Sequence, residues 1–275
     1  MPKKSPSRVA IRPIIANGKL KLADIDTSSD CGFAGDKADT EQILKGHNAR
    51  LAQLQNVLYA QGKQKVLVVL QAMDTGGKDG AIRKVFSGIN PQGVRVVSFK
   101  APSAEELAHD YLWRVHQHVP AKGMIHVFNR SHYEDVLITR VHGWIDTPTA
   151  KRRFRQINDF EAMLVEEGTV ILKYFLHISK DEQKARLESR LADPSRQWKF
   201  NIGDLAEREK WADYQRVYQE AINATSTPHA PWIIVPADRK WVRDLVVSST
   251  LVQALESLNL AYPEPEAGLD KVRVK

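Results

Sequence analysis

The chain has a single cysteine, Cys31, so no internal disulfide can form and stability must come from burial and hydrogen bonding. That usage fits a reducing, cytoplasmic setting. No apolar run approaches the ~20 residues of a membrane-spanning helix, which argues against a membrane role. The first residues, Met1-Pro2-Lys3-Lys4-Ser5-Pro6, are basic but lack the apolar centre of a secretory signal. Also missing is the interleaving of aromatic and basic residues on which single-stranded nucleic acids stack, so nucleic acid ranks last among anionic partners. No internal repeat is visible. Acid is not in excess: Lys plus Arg is 40 against 33 for Asp plus Glu, giving a net charge of +7 and a pI near 9.4. A basic chain of this kind suits an anionic ligand. At 275 residues, 43% hydrophobic and 27% charged, it can bury one α/β core with appendages.

Residues 1–38 hold Pro2, Pro6, Pro13, Gly18, Gly32 and Gly35 and no sustained period, and read as an extended arm. Its short apolar pieces, Val9-Ala10-Ile11 and Ile14-Ile15, are expected to stick to the surface of a single domain over 39–260. Ile43, Leu44, Leu51, Leu54, Val57 and Leu58 recur at helical spacing, predicting a helix over 39–61 that Gly62 ends. Short apolar runs predict strands at about 65–71, 94–99, 124–128, 170–176 and 231–236, with helical patterns between them. Ser103 with Glu106 forms a capping box for a helix running toward Pro120. Ser131 opens a further helix, Thr147-Pro148-Thr149 breaks the chain, and Ser179 caps a basic helix to about 191. Asp204 is expected to cap a long helix to about 224, a last helix spans about 238–258, and 261–275 reads as a loose tail. Strands alternating with helices predict a five-stranded parallel sheet with helices on both faces. Ligands of such sheets bind beyond the C-terminal strand ends.

The most informative stretch is Val66-Leu67-Val68-Val69-Leu70-Gln71-Ala72-Met73-Asp74-Thr75-Gly76-Gly77-Lys78-Asp79-Gly80. A buried strand ends in a glycine-rich turn and a helix follows, an arrangement that presents backbone N–H groups and a positive dipole end to an anion. Lys78 sits at the lysine position of a Walker A loop. Ala72 replaces the first glycine, and Asp79 stands where Ser or Thr would meet magnesium. Gly76, Gly77 and Gly80 keep the loop permissive. Asp74 inside a phosphate cradle would repel phosphate unless a cation intervenes; a metal or catalytic role and a turn-forming role are both open to it.

Two further constellations lie at strand ends. Phe128-Asn129-Arg130-Ser131-His132-Tyr133-Glu134-Asp135 places an amide where P-loop enzymes usually carry a carboxylate, beside an arginine suited to phosphate. Asp135 is a candidate metal ligand or a partner of the helix dipole, and His132 reads as an exposed helix residue. After the fourth strand, Lys184, Arg186, Arg190, Arg196 and Lys199 read as either a solvated basic face or a hinged lid over about 184–208. Arg83, Lys84 and Lys100 add positive charge near the first two strand ends, suggesting a cationic groove for a polyanion.

Taken together, Ala72 to Gly80, the run Glu105-Glu106-Leu107-Ala108-His109-Asp110-Tyr111-Leu112-Trp113-Arg114, the segment Phe128 to Leu137, and Arg190-Leu191-Ala192-Asp193-Pro194 followed by Trp198-Lys199 resemble the polyphosphate kinase 2 family. The resemblance spans roughly residues 40–260 in order. It implies a P-loop kinase fold similar to thymidylate kinase, with a helical lid. It also implies phosphoryl transfer between inorganic polyphosphate and adenine or guanine nucleotides, with magnesium or manganese, in a homo-oligomer (dimer or tetramer). Carried onto this chain, Asp74 would hold magnesium and position the acceptor, and Lys78 and Arg83 would bind chain phosphates. Arg130 would lie at the transfer point, and Arg190 would be a lid arginine. Asn129 with Glu134 resembles the class III branch, which accepts AMP as well as ADP. An ATP-dependent nucleoside monophosphate kinase of the same fold is the main competing reading. Lys78→Ala and Asp74→Ala are each expected to remove nearly all transfer activity with the far-UV circular dichroism unchanged; full turnover by either variant would reject the site.

Overall fold

The computed structural model describes residues 11–274. The sheet is built on β2 (Lys65–Ala72), whose Val66 to Leu70 side chains are at most 1% exposed. A strand buried on both faces needs an unbroken apolar run rather than alternation, which is what Val66-Leu67-Val68-Val69-Leu70 supplies. β3 (Val94–Ser98), β4 (Ile125–Asn129), β5 (Thr169–His177) and β6 (Trp232–Pro236) complete the parallel set. The expected five strands are therefore all present. A sixth strand was not expected: β1 (Ile14–Ile15) lies in the stretch read as an arm and pairs antiparallel with β6, making the sheet mixed. Val9 and Ala10 of that arm lie outside the described residues.

The order is β1-β6-β5-β2-β4-β3. After β2 the chain runs to the far edge, returns to place β4 beside β2, then crosses to β5 on the other side. The C-terminal ends of β2, β4 and β5 thus flank the switch point at which such sheets bind ligands.

Helix boundaries follow caps. α1 (Lys37–Gln61) starts at Asp36, whose carboxylate accepts from the backbone N–H of Ala38 and Asp39, and it stops at Gly62 in the left-handed region. α2 (Lys78–Val85) follows the glycine loop directly. The Ser103–Glu106 capping box is formed, but its helix α3 (Ala104–Ala108) ends early. The Asp110 carboxylate accepts from the N–H groups of Leu112 and Trp113 and restarts the chain as α4 (Trp113–His116). The stretch opened by Ser131 is a 3-10 turn over His132–Val136, followed by the short α5 (Ile138–Val141). Pro148 does not break the chain: it sits in the first turn of α6 (Thr147–Glu166), where its missing N–H costs nothing, with Asp146 as cap. α7 (Lys180–Ala192) is capped by Ser179 as expected. The helix expected from Asp204 is two, α8 (Gly203–Glu209) and α9 (Trp211–Thr225), and Asp204 lies inside the first turn rather than at the cap. α10 (Lys240–Ser257) packs against α1. Among the described residues, no helix is long and apolar enough to cross a membrane. Replacing Asp36 by Ala removes the α1 cap and is expected to lower stability by about 1 kcal/mol, read as a lower urea midpoint with an unchanged slope.

Candidate active site

The loop between β2 and α2 has a backbone that ordinary residues avoid. Thr75 has φ of 60° and Gly77 of 100°. A β-branched residue in the left-handed region is strained, so the surroundings must hold it there. They do so through the carbonyls. Turning N–H groups outward leaves carbonyl oxygens facing the protein, and these need donors. Gln183 Nε2 donates to Asp74 O at 3.0 Å, and Arg186 Nη1 donates to Thr75 O at 3.0 Å. Tyr218 Oη donates to Ala72 O at 3.0 Å, and Lys78 Nζ curls back to the same oxygen at 3.2 Å.

At the mouth of the loop, Arg130 Nη2 meets Asp74 Oδ1 at 3.0 Å. Arg130 ends β4 with φ of 63°, a second strained position at the same strand-end plane. Both side chains keep a third or so of their surface open, so neither is locked away from a ligand. Burial works against the Arg130 charge, but Glu134 and Asp74 outweigh it and hold the guanidinium firmly protonated. Burial first, and Arg130 second, push the Lys78 ammonium below its usual value, countered by Asp74, Glu134 and Asp79. Asn129 Nδ2 donates to Asp79 Oδ1 at 2.6 Å. Asp79 therefore spends an oxygen on the β4 amide instead of capping α2, whose N-cap is Gly77.

Asp74, Arg130, Glu134, Gln183, Tyr214 and Tyr218 line one cleft together with residues from α8, Glu207 and Arg208. Burial, then the Asp74 charge, raises the Asp204 carboxyl above its ordinary value, which puts α8 within electrostatic reach of the loop. The other sequence candidates are placed less uniformly. Arg186 was read as part of an open cationic groove, but its guanidinium is buried and its hydrogen bonds go to Thr75 O, Ala237 O and Glu182. It supports the loop from the protein side. Arg190 reaches across to Lys199 O at 3.4 Å and to Asp204 at 4.0 Å, tying α7 to the segment before α8. Arg196 is exposed and pairs with Asp193, and the half-buried Lys199 lies over the exposed Trp198 ring. Arg83 and Lys84 are exposed on α2, and the exposed Lys100 offers its carbonyl to Arg114.

Asp135 is turned away from the loop. Its backbone carbonyl accepts from Arg153 at 2.7 Å, and its carboxylate faces Arg153 and Arg114; burial raises its pKa despite both. Asp74 and Asp135 are thus not brought together as a ligand pair. Among the described residues no group of three or more His, Cys, Asp or Glu side chains could hold a metal alone. A hard cation that takes most of its oxygens from substrate phosphate and water needs only one or two carboxylates, and Asp74 fits that requirement. His132, read as exposed, is fully buried against Glu161.

Sequence reasoning missed Arg243 and the α9 tyrosines. Arg243 is 3% exposed on α10, paired with Asp244, and its guanidinium would collide with a Cβ at Gly77 and crowd one at Gly80. The signal was there: Arg243-Asp244 interrupts the apolar run between Trp241-Val242 and Leu245-Val246-Val247, as a buried ion pair would. Tyr214 and Tyr218, four apart, mark the α9 face turned to the loop.

Five parallel strands with a lysine-bearing glycine loop at their switch point and an arginine across from it have the form of a P-loop kinase. The chain belongs to the polyphosphate kinase 2 family: the family described as Polyphosphate kinase 2 (PPK2) matches residues 34–262. It is 52% identical to an AMP/ADP-polyphosphate phosphotransferase of Meiothermus ruber, over 94% of this chain and 97% of that one. It is 46% identical to an ADP-polyphosphate phosphotransferase of Rhodopseudomonas palustris, over 90% and 89% of the two chains. The crystal structure of Polyphosphate Kinase 2 from Arthrobacter aurescens TC1 superposes with a TM-score of 0.92 at 47% identity, covering 98% of this chain and 95% of that one.

Two glycine substitutions separate the role of the loop from backbone strain alone. Gly88 also has positive φ, at 79°, but open space where a Cβ would go. Gly77→Ala is expected to lower phosphoryl transfer by about a hundredfold, equivalent to roughly 2.7 kcal/mol. Gly88→Ala should cost about 1 kcal/mol of stability and leave turnover near wild type. Initial rates and thermal melts of both variants check this.

Proposed function

We propose that the chain transfers phosphoryl groups from inorganic polyphosphate to AMP and to ADP, forming ADP and ATP. The observation that carries the reading is the Asp74–Arg130 pair, 3.0 Å apart at the mouth of the phosphate loop, in a chain 52% identical to a relative named for that reaction. A phosphate oxygen of the nucleotide attacks the terminal phosphorus of the chain. The new P–O bond forms as the bridging P–O bond breaks, and the shortened polyphosphate leaves with the electron pair. The acceptor is already anionic, so no protein nucleophile and no proton transfer are needed. What the residues supply is position and charge. Lys78 and the loop N–H groups hold the donor end, Arg130 stabilises charge on the phosphoryl group in transit, and Asp74 orients the acceptor. One anhydride replaces another, so the reaction runs in both directions. Asp74 is the residue that would hold a magnesium ion, which would supply positive charge against the phosphates.

The segment from α7 to α8 borders the cleft through Gln183, Glu207 and Arg208, and Arg190 on the same segment would act as its lid arginine. Acceptor breadth rests on Asn129. Its amide satisfies Asp79 at 2.6 Å; a carboxylate there would face a second carboxylate instead. The amide removes that repulsion without calling for a cation at this position, which leaves room for acceptors with one phosphate or two.

Purified protein with divalent cation, long-chain polyphosphate and AMP, and no ATP, is expected to give ADP and then ATP. Product from ADP alone would reject the AMP assignment, and transfer only from added ATP would reject polyphosphate as donor. Asn129→Asp is expected to lower turnover on AMP by about tenfold, or roughly 1.4 kcal/mol, with a smaller loss on ADP. Equal losses on both acceptors would refute the account of Asn129.

A further inference from the structure

Behind the strand-end arginine lies a polar network that the reaction does not use. Lys173 on β5, Glu161 on α6, and Tyr133 and His132 on the 3-10 turn are all 0% exposed. The Lys173 ammonium has three N–H groups and three acceptors: a Glu161 oxygen, Tyr133 Oη at 2.9 Å and Thr225 O at 2.7 Å. Tyr133 Oη in turn donates to Glu161 Oε1 at 2.8 Å, and His132 Nε2 lies 3.4 Å from the same oxygen. Burial alone would raise the Glu161 carboxyl; the adjacent Lys173 charge overrides it and holds it below its ordinary value.

Such a network is a poor device for stability. A buried ion pair replaced by apolar groups of similar volume is often neutral or stabilising. Its attachment points suggest what it is for. His132 and Tyr133 follow Arg130 by two and three residues. Arg130 stands at φ of 63°, where a residue with a Cβ is strained and persists only if its neighbours hold it. The near side of the turn is fixed to β2: Arg130 N–H donates to Leu70 O at 3.1 Å and Gln71 Nε2 donates to Ser131 Oγ at 3.1 Å. The far side is fixed where the buried network grips the Tyr133 hydroxyl and the His132 ring, with Arg153 holding the Asp135 carbonyl beyond them.

We propose that Lys173, Glu161, Tyr133 and His132 form a positioning network that keeps Arg130 in its left-handed conformation and so aims its guanidinium at Asp74 and the phosphoryl group in transit. None of the four touches substrate. The network acts through Arg130, and in that respect the inference rests on the transfer reaction proposed above. Apolar packing can replace its contribution to folding but not its directional hold on the turn.

The test is a double-mutant cycle on the full chain. The network is replaced by the Lys173→Met/Glu161→Leu pair, alone and together with Arg130→Ala, and kcat and KM for AMP and polyphosphate are measured beside thermal melts. Tyr133→Phe, which keeps the ring and removes only the hydroxyl, serves as a second and gentler variant. The expected result is a folded Lys173→Met/Glu161→Leu protein with kcat reduced about tenfold or more and KM changed less than about threefold. Tyr133→Phe should show a smaller loss of the same kind. In the Arg130→Ala background the network replacement should cost no further activity. A folded network variant with wild-type kcat overturns the proposal, as does a loss that adds in full to that of Arg130→Ala. If Lys173→Met/Glu161→Leu does not fold, Tyr133→Phe decides alone by the same criteria. Absence of transfer in the wild-type chain would instead strike the proposed reaction, so the two failures are distinguishable.

Discussion

A loop that offers its N–H groups to a ligand must hide its carbonyls, and hidden carbonyls need donors. Much of this molecule is arranged around that constraint. Ala72, Asp74 and Thr75 each turn an oxygen inward, and the donors come from distant parts of the chain: Gln183 and Arg186 on α7, Tyr218 on α9. Arg243 on α10 fills the space that only glycine at 77 leaves open. These helices are therefore more than cover for the sheet. They are the mould that holds a strained turn, and the strain at Thr75 is tolerable because so many contacts oppose its release.

Charge at the site is balanced in pairs rather than by excess. The chain is basic overall, yet the charged groups nearest the loop pair in opposite sign: Asp74 with Arg130, Arg186 with Glu182, Arg243 with Asp244. In the absence of phosphate this pairing keeps several buried cations from repelling one another. In the proposed reaction a polyanion would compete for the less buried Arg130 and Lys78, while Arg186 and Arg243 stay committed to protein acceptors. The division follows from burial. A guanidinium whose hydrogen bonds all end on protein acceptors is a structural element, and one with a third of its surface open is a binding group.

The relatives sharpen this picture. Two chains similar to this one along most of their length carry names that differ in acceptor, AMP/ADP in one and ADP in the other. Membership of one family is thus compatible with differently named acceptors. Asn129 is the residue here whose substitution would most directly alter local charge, because its amide is already engaged with a carboxylate.

The sequence by itself determined the five parallel strands and the anion loop, because apolar runs and a glycine turn are local signals that no distant residue overrides here. It also determined the family, since four separate motifs fall in order along the chain. Local signals failed where a distant group decided. Ile14-Ile15 became a strand because the edge of β6 was free to pair. Arg186 and Arg190 share a helix face in the sequence, but only the packed structure sends one to the loop carbonyls and the other across to Asp204. His132 looked exposed until Lys173, some forty residues later, gave Glu161 a charge to balance. Asp135 looked like a metal ligand until Arg153 and Arg114 claimed it. In each case the side chain's role depends on which opposite charge or free edge folding brings within hydrogen-bond range. That distance is a property of the tertiary structure and leaves no periodic trace in the chain.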